Sequence, residues 1–368
     1  DTLFLYTFQK REEIMSITKR EFGKLESGEE VSVYQIKNES GAYIEVTDYG
    51  AILRCICVPD KDGKLQDVVL GYDKLEQYFV NGCYFGSTIG RNGNRIAGGK
   101  VPVNGQVYQM PQNENENNLH SGPDGYEKQL WKVKEVSEEE NAVTFTRMSP
   151  DKEQGLPGNF EVAVTYQFTG DNEVKIHYQG VSDQDTLVNM TNHSYFNLSG
   201  HQSGTVADQY LCMRSEEFTP VIDSKSIPTG EYVKVADTPM DFRTEKKIGQ
   251  DVDADYEQLK MTGGYDHNFM LMDYQPGKVR SVAKAYAPDT EIVMEVLTDT
   301  PAVQFYSGNF VEREEGKNNA VYTKRSGFCL ETQFEPDAVN QKNFHSPILK
   351  AGEKYDSTTI YRFSVKKD

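Results

Sequence analysis

Basic residues are in short supply in this sequence. Its 368 residues include 39 Lys and Arg against 57 Asp and Glu, which leaves a formal net charge of −18. No run of Lys or Arg is long enough to follow a phosphate backbone, so we expect no nucleic-acid partner. A membrane-spanning helix needs about 18 consecutive apolar residues, and apolar segments such as residues 51–58 are interrupted by Arg54. We therefore expect no membrane partner.

Cysteines are few and odd in number. The five are Cys55, Cys57, Cys83, Cys212 and Cys329, mostly in apolar surroundings. No CxxC pair or Cys/His cluster has the spacing of a zinc site, and a chain of this length does not need disulfides to stabilise its core. We expect reduced, buried thiols, no bound metal and a cytoplasmic location.

The chain does not begin with Met. Residues 1–14 include a charged stretch at residues 10–13, where the cleavage site of a signal peptide should follow, and Met15 opens a more ordinary start. We interpret residues 1–14 as upstream or cloning-derived sequence and residues 15–368 as a single domain. A processed export signal is the alternative interpretation, which leaves export open.

Signals for helices, repeats and linkers are scarce as well. Only residues 73–79 and 251–259 show helical periodicity, which is too little to cover a parallel sheet. No blade-like repeat, Pro- or Ser-rich linker or break in composition divides the chain. The pattern argues against a doubly wound α/β fold and favours one continuous domain.

Alternation of apolar and polar side chains is the dominant pattern that is present, and it is typical of half-buried strands. It occurs at residues 31–36, 43–46, 162–168, 174–178, 291–297, 303–306 and 359–365. Tight-turn signals lie between strands at Asp62-Gly63, Asn104-Gly105 and residues 170–172. The pattern predicts an all-β protein, a large antiparallel β-sandwich.

The common catalytic signatures are absent. GxSxG, HExxH, the P-loop and GxGxxG do not occur, so serine-hydrolase, zincin and nucleotide-binding interpretations lose their main support. Six segments remain that carry more Asn, His, Gly and aromatic residues than a strand or surface loop requires. They are residues 86–96, 117–122, 191–200, 263–269, 301–310 and 327–340.

The first two segments supply hydrogen-bond donors. Residues 86–96 read GSTIGRNGNRI, in which a glycine-rich backbone can bend closely around a ligand and present the amide of Asn94 and the guanidinium of Arg95. An ordinary glycine-rich loop with a surface arginine is the alternative. The second segment carries His120, and a lone histidine is more often structural than functional.

The third segment has the composition of a sugar site. Residues 191–200 read TNHSYFNLSG and surround His193 with two asparagines and two aromatic rings. Amides and an imidazole can make directional hydrogen bonds to hydroxyl groups, and an aromatic ring can cover the C–H face of a sugar. A structural role for His193 is the alternative.

The last three segments place single polar groups in apolar contexts. Asp266 can accept two hydroxyl hydrogen bonds, although Asp is also common in turns, and Gln304 lies within an apolar alternating stretch where it needs a partner. Glu331 follows an apolar strand end, and burying a carboxylate there is costly without a role or a partner. Glu331 is therefore the best candidate for a general base, with a buried structural ion pair as the alternative.

Taken in this order, the six segments resemble those of the aldose 1-epimerase, or galactose mutarotase, family. The resemblance begins near Met15, covers nearly the whole chain from there, and includes residues 68–95 and 155–168. No single motif is specific, but six in this order are. One departure is Asn92-Gly93, where a small apolar residue often stands in the family.

The resemblance implies a fold, a site and an activity. The expected fold is a large antiparallel β-sandwich, or supersandwich, with the sugar site in a cleft on one sheet. His193 would be the general acid and Glu331 the general base for exchange of the α and β anomers of free aldohexoses such as galactose and glucose, without a cofactor. The expected sugar-binding residues are Arg95, His120, Asp266 and Gln304, with Asn94 as a secondary contact.

Three other functions stay open at this point. They are a carbohydrate-binding protein without catalysis, a hexose-6-phosphate 1-epimerase, and a glycoside hydrolase with Asp266 and Glu331 as its carboxylate pair. A phosphorylated substrate calls for clustered basic side chains, whereas only Arg91 and Arg95 lie near the motifs. The remaining histidines, His177, His201, His267 and His345, are expected to be structural. The partner is expected to be a monosaccharide, and the chain a monomer or homodimer.

Overall fold

The computed structural model describes residues 15–366, and the segment that we interpreted as upstream sequence lies outside this range. The described chain is built almost entirely from strands. In chain order they are β1 Ser16–Lys24, β2 Glu30–Lys37, β3 Tyr43–Thr47, β4 Ile52–Pro59, β5 Leu65–Asp67, β6 Ser87–Ile89, β7 Arg95–Ile96, β8 Lys100–Val103, β9 Gln106–Gln109, β10 Asn118–Leu119, β11 Lys132–Ser137, β12 Ala142–Ser149, β13 Phe160–Phe168, β14 Glu173–Ser182 and β15 Thr186–Leu187. The others are β16 Thr191–His193, β17 Tyr210–Met213, β18 Glu217–Thr219, β19 Val233–Lys234, β20 Lys246–Lys247, β21 Asp266–Met270, β22 Arg280–Tyr286, β23 Ile292–Thr298, β24 Ala302–Tyr306, β25 Glu314–Glu315, β26 Val321–Tyr322, β27 Cys329–Gln333, β28 Ile348–Leu349 and β29 Lys354–Val365.

The larger sheets are one of nine strands and two of five, and their strands pair antiparallel. The nine-stranded sheet has the order β11-β12-β13-β14-β29-β23-β22-β17-β20, and the five-stranded sheets have the orders β1-β2-β3-β4-β5 and β19-β18-β21-β24-β27. Six of the seven predicted strand segments lie within these sheets, and the seventh, residues 291–297, begins one residue before β23. The three predicted turns each join paired neighbours, at β4–β5, β8–β9 and β13–β14. The predicted antiparallel β-sandwich is confirmed.

One large apolar core lies between these sheets. Along β13, every second residue is buried while the residues between them are partly or fully exposed. The same core cluster contains buried side chains of β2, β13 and β24, one strand from each large sheet, such as Ile36, Val164 and Phe305. At about 25 cal/mol per Å² of apolar surface removed from water, this burial is the main contribution to stability.

Two α-helices occur in the described residues, α1 Leu75–Phe79 and α2 Glu257–Thr262. The first lies within the predicted segment 73–79. The prediction of a helix over residues 251–259 was wrong for its first half, where the backbone forms turns. Asp251 and Asp253 are drawn to Lys246 and Arg325 outside the segment, and Asp is a poor helix former.

Two further expectations can be compared with the fold. Within residues 15–366, no helix is long and apolar enough to cross a membrane. The five cysteines are free thiols; three are buried, as predicted, but Cys83 and Cys212 are partly exposed, so the prediction of burial was wrong for these two.

Candidate active site

The sheet that contains β21, β24 and β27 has one apolar and one polar face, and both are buried at its centre. On β24, Val303 and Phe305 belong to the core, while Gln304 between them points to the other face. Gln304 lies directly opposite Glu331 on β27 and opposite Asn268 on β21. Strand pairing therefore gathers polar side chains from three distant sequence segments.

A cavity of about 250 Å³ lies over this polar face. Its walls are formed by Gly82, Tyr84, Asn94, Arg95, Glu114, Leu119, His120, His193, Tyr195, Asp266, Gln304, Tyr306, Phe310 and Glu331. The structure thus brings together all seven residues that the sequence analysis singled out. The position of Asn92-Gly93 does not prevent the two residues that follow, Asn94 and Arg95, from reaching the cavity.

His193 and Glu331 form a buried pair in this cavity. The Nε2 atom of His193 lies 3.7 Å from the Oε1 atom of Glu331, and their side chains are only 6% and 3% exposed. The second carboxylate oxygen of Glu331 has no hydrogen-bond partner among residues 15–366. A buried carboxylate that the protein leaves partly unsatisfied is available to a bound molecule.

Burial moves the pKa values of the pair in opposite directions. It raises the pKa of Glu331 well above its usual range, and the nearby Asp266 carboxyl raises it further, whereas Arg95 opposes the shift. Burial lowers the pKa of His193 to about 4. Both groups are therefore more stable in their neutral forms, because charge is poorly solvated in the cavity.

Packing and main-chain contacts orient the His193 ring. It stacks on Tyr195 with ring centroids 5.1 Å apart and on Tyr84 at 5.7 Å. Its Nδ1 atom is 3.6 Å from the Sγ atom of Cys329, which leaves Nε2 on the side of Glu331. The short strand that carries His193 pairs with β6, so the first and third polar segments are neighbours.

His120 is a hydrogen-bond donor to the cavity. The backbone N–H of Asn94 donates to Nδ1 of His120 at 3.1 Å, so in the neutral ring the proton resides on Nε2. The ring is neutral because burial lowers the pKa of His120 well below its usual range, with His193 and Arg95 adding to the shift.

The cluster of His120, His193 and Glu331 has the composition of a metal site, with possible ligand atoms within 4.8 Å of one another. It does not fit a metal ion, because Nε2 of His120 would have to lose its proton while Nδ1 still faces a backbone N–H. A second cluster contains Cys55, Cys57 and Asp67. There the ammonium of Lys317 already binds the Asp67 carboxylate at 2.6 Å.

A chain of amide hydrogen bonds supports the polar face. The side-chain N–H of Gln304 donates to Asp266 at 2.8 Å, and that of Gln333 donates to Asn268 at 2.9 Å and to Gln304 at 3.3 Å. Asn94 donates in turn to Gln333 at 3.3 Å. Gln333 and Asn268 were not among the predicted site residues. The two-residue spacing of Gln333 from Glu331 was the available signal, since it places both on one face of a strand.

The two arginines near the motifs differ in role. Arg95 lines the cavity and forms two hydrogen bonds of 2.7 Å with Glu114, a residue that the sequence analysis missed. Arg91 is fully buried outside the cavity wall, and its guanidinium donates to Ser149, Pro157 and other groups of neighbouring loops. Only Arg95 is therefore available to a ligand in this cavity.

The cavity wall also includes aromatic residues that the sequence analysis did not assign. Tyr306 and Phe310 belong to the fifth polar segment, so their position in that segment was the available signal, and Tyr84 precedes the first segment. The four histidines that were expected to be structural do not line the cavity. His267 nevertheless supports Asp266, because its Nδ1 accepts the backbone N–H of that residue at 3.3 Å.

The fold and the cavity together define a β-sandwich protein with a buried acid–base pair in a small polar pocket. Comparison with known proteins agrees with this description. The profile of the aldose 1-epimerase family matches residues 32–362. Galactose mutarotase from Homo sapiens is 41% identical over 352 residues, which cover 95% of this chain and 99% of that protein. Aldose 1-epimerase from Escherichia coli K12 is 36% identical over 338 residues, covering 91% and 96%.

Solved structures are similar over the same length. The GalM/aldose epimerase homologue from C. elegans has a TM-score of 0.83 at 30% identity and covers 90% of this chain and 98% of its own. Galactose 1-epimerase from Lactobacillus acidophilus has a TM-score of 0.84 at 26% identity, covering 96% and 100%. The chain therefore belongs to the aldose 1-epimerase family. Its activity is that of an isomerase acting at the anomeric carbon of aldoses.

Proposed function

We propose that Glu331 is the general base and His193 the general acid for exchange of the α and β anomers of free aldohexoses such as galactose and glucose. The observation that carries this assignment is the buried pair itself, with Nε2 and Oε1 separated by 3.7 Å in a cavity of about 250 Å³. A small polar cavity of this kind suits a single sugar ring. Galactose is included because relatives at about 40% identity are named galactose mutarotases.

Anomer exchange requires one proton donor and one proton acceptor. Glu331 removes the proton of the C1 hydroxyl, His193 protonates the ring oxygen, and the C1–O5 bond breaks to give the open-chain aldehyde. Rotation about the C1–C2 bond by roughly half a turn exposes the other face of the aldehyde. Reversal of both proton transfers then closes the opposite anomer and returns each proton to its starting group.

The electrostatics of the cavity favour the ring-opened stage. After ring opening, Glu331 is protonated and His193 is neutral, and these are the forms that burial stabilises. Before ring opening, the pair is charged and the cavity solvates it poorly. Transfer of both protons through the sugar removes these two charges, so burial lowers the free energy of the intermediate relative to the charged starting state.

The remaining predicted residues hold the sugar while C1 turns. The neutral His120 ring presents Nε2–H, Arg95 presents its guanidinium, and Asp266 and Gln304 are coupled by a 2.8 Å hydrogen bond. Asn94 acts as a secondary contact. Its backbone N–H positions His120, and its side chain donates to Gln333 in the chain of amide hydrogen bonds that supports the polar face. Fixing the ring in this way lowers the entropy cost of the reaction.

Optical rotation tests the proposal. Freshly dissolved α-D-glucose and α-D-galactose should reach the ordinary equilibrium rotation much faster with the protein, and at the spontaneous rate with Glu331→Gln. Tight sugar binding without acceleration would instead indicate a carbohydrate-binding protein. A chromogenic glycoside should remain intact, since its cleavage would indicate a hydrolase.

We further propose that residues 15–368 form one domain that acts in the cytoplasm as a monomer or homodimer, without nucleic-acid or membrane partners. The net charge of −18 and the free thiols support this setting. Light scattering of the purified protein would determine its mass, and cell fractionation its location.

A further inference from the structure

Glu114 is attached to the one arginine that faces the cavity. Its carboxylate accepts from Nε and Nη2 of Arg95, each at 2.7 Å, and the two side chains are 28% and 13% exposed. Both residues line the cavity. A two-point arginine–carboxylate pair of this geometry is strong and directional.

The loop that carries Glu114 is held in place by hydrogen bonds. Asn113 donates to the backbone oxygen of Leu119 at 3.0 Å and accepts from its N–H at 2.8 Å. The backbones of Glu114 and Asn117 form a bridge, and the side-chain oxygen of Asn117 accepts from the N–H of Gly98 at 3.0 Å. Glu114 is therefore a fixed part of the cavity wall.

This pair changes what the arginine can recognise. Free guanidinium groups bind carboxylates and phosphates through two parallel N–H bonds. Here the Nε–Nη2 edge is occupied. An anion at the remaining Nη1–Nη2 edge would lie close to the Glu114 carboxylate. Nη1 makes no hydrogen bond within residues 15–366, so it can still donate to an uncharged hydroxyl group.

The other charged groups of the cavity reinforce this selection. Arg95 is the sole Lys or Arg in the cavity wall as described, whereas three carboxyl groups line it, on Glu114, Asp266 and Glu331. In the active form the carboxylate of Glu331 is balanced by the imidazolium of His193, and that of Glu114 by Arg95. An anionic sugar would therefore find no unpaired positive charge in a poorly solvated space, where charge repulsion is strong.

We propose that Glu114 is a specificity-determining residue that restricts the site to uncharged aldoses by occupying Arg95 and adding negative charge to the cavity. This inference rests on the proposed function and adds a residue that restricts its substrate class. It also gives a physical reason against a hexose phosphate as the substrate, since Arg91 is buried elsewhere and Arg95 is already paired.

The test compares glucose with glucuronate, which has the same hemiacetal and a carboxylate at C6. Anomer exchange is measured for both sugars by NMR, and the ratio of their kcat/KM values is taken for wild type, Glu114→Gln and Glu116→Gln. Glu116 is a matched control, because it lies two residues further along the chain, is half exposed and pairs with Lys225 outside the cavity wall. Each variant removes one negative charge, but only one of them removes it from the cavity.

We expect wild type to prefer glucose strongly. Glu114→Gln should raise the ratio of kcat/KM for glucuronate to that for glucose about tenfold or more, in line with a unit charge removed a few ångströms away. Glu116→Gln should leave this ratio unchanged. An unchanged ratio in Glu114→Gln, or an equal loss for both sugars, would overturn the inference while leaving the proposed function intact. Failure of wild type to accelerate exchange of glucose or galactose would overturn the proposed function, and this inference with it.

Discussion

Glu331 and Gln304 lie directly opposite each other on neighbouring antiparallel strands. Side chains alternate between the two faces of a strand, so a slip of one residue would move Glu331 into the apolar core. The proposed base thus owes its place to strand register. This register also brings Glu331 to the same face as Asp266, whose carboxyl raises its pKa.

Replacement of Glu331 by Gln should abolish most of the catalysis. Gln keeps the size of the side chain but cannot accept the C1 hydroxyl proton, and a well-placed general base contributes about 10²- to 10⁴-fold. We expect kcat to fall by at least that factor, as measured by polarimetry. Glu116→Gln makes the same chemical change on the surface and should retain full activity. A Glu331 variant with near wild-type kcat would exclude this residue as the base.

The pH dependence of the reaction should be bell-shaped with a broad flat top. In the active form, His193 and Glu331 together hold one proton. A second proton binds to His193 as pH decreases through about 4, and activity falls because the pair is then fully protonated. The last proton leaves Glu331, whose pKa burial raises well above its usual range, so the alkaline fall reports the carboxyl group. If both groups had ordinary pKa values, the acid fall would instead report Glu331 and the alkaline fall would report His193. An alkaline fall near pH 6.5, after subtraction of the spontaneous rate, would contradict the assignment made here.

Removal of divalent metal ions should not affect activity. His120, His193 and Glu331 are close enough to share an ion, but Nδ1 of His120 faces the backbone N–H of Asn94 and its Nε2 keeps a proton. Dialysis against a chelator should leave kcat/KM for galactose unchanged. Loss of activity that is restored by added zinc would show that the His120 ring adopts the other protonation.

The stability of the protein should depend on a carboxyl group close to the site. Glu127 is buried, neither of its carboxylate oxygens has a hydrogen-bond partner within residues 15–366, and burial raises its pKa from 4.5 to about 7. Between these two pH values the folded protein holds a proton that the unfolded chain has lost, so the free energy of unfolding decreases as pH rises. The decrease is complete above the folded pKa.

Replacement of Glu127 by Gln should remove this pH dependence. We compare the free energy of unfolding of the variant with that of wild type at each pH. From pH 5 to pH 8 this difference should shift by about 2–3 kcal/mol in favour of the variant, because one pKa unit corresponds to about 1.36 kcal/mol. Urea unfolding measures this free energy at both pH values. The effect of burying the uncharged Gln side chain is the same at both, so it drops out of the comparison. Glu139→Gln, at an exposed turn, is the control. Equal stability changes at both pH values would mean that Glu127 is already charged in the folded protein.

Much of the architecture was predictable because strand patterning is local. The two-residue period of a strand produces the alternation in short segments such as residues 162–168 and 303–306. The backbone freedom of Asn and Gly produces turns at pairs such as Asn104-Gly105. The helix predicted at residues 251–259 was partly wrong because Asp251 and Asp253 bind Lys246 and Arg325, which lie outside the segment. Such pairing leaves no signal in the periodicity of the segment itself.

Composition and periodicity were enough to predict the β-rich class and a set of polar segments in which each unusual residue stood out against its neighbours. Three features of the site follow only from the folded arrangement: His193 and Glu331 lie 3.7 Å apart, Asn94 holds His120 as a donor, and Glu114 occupies Arg95. Glu114 stood in a run of polar residues with nothing to distinguish it. Local patterns follow from chain geometry, whereas the charge and protonation of a cavity depend on groups that meet only after the strands have paired.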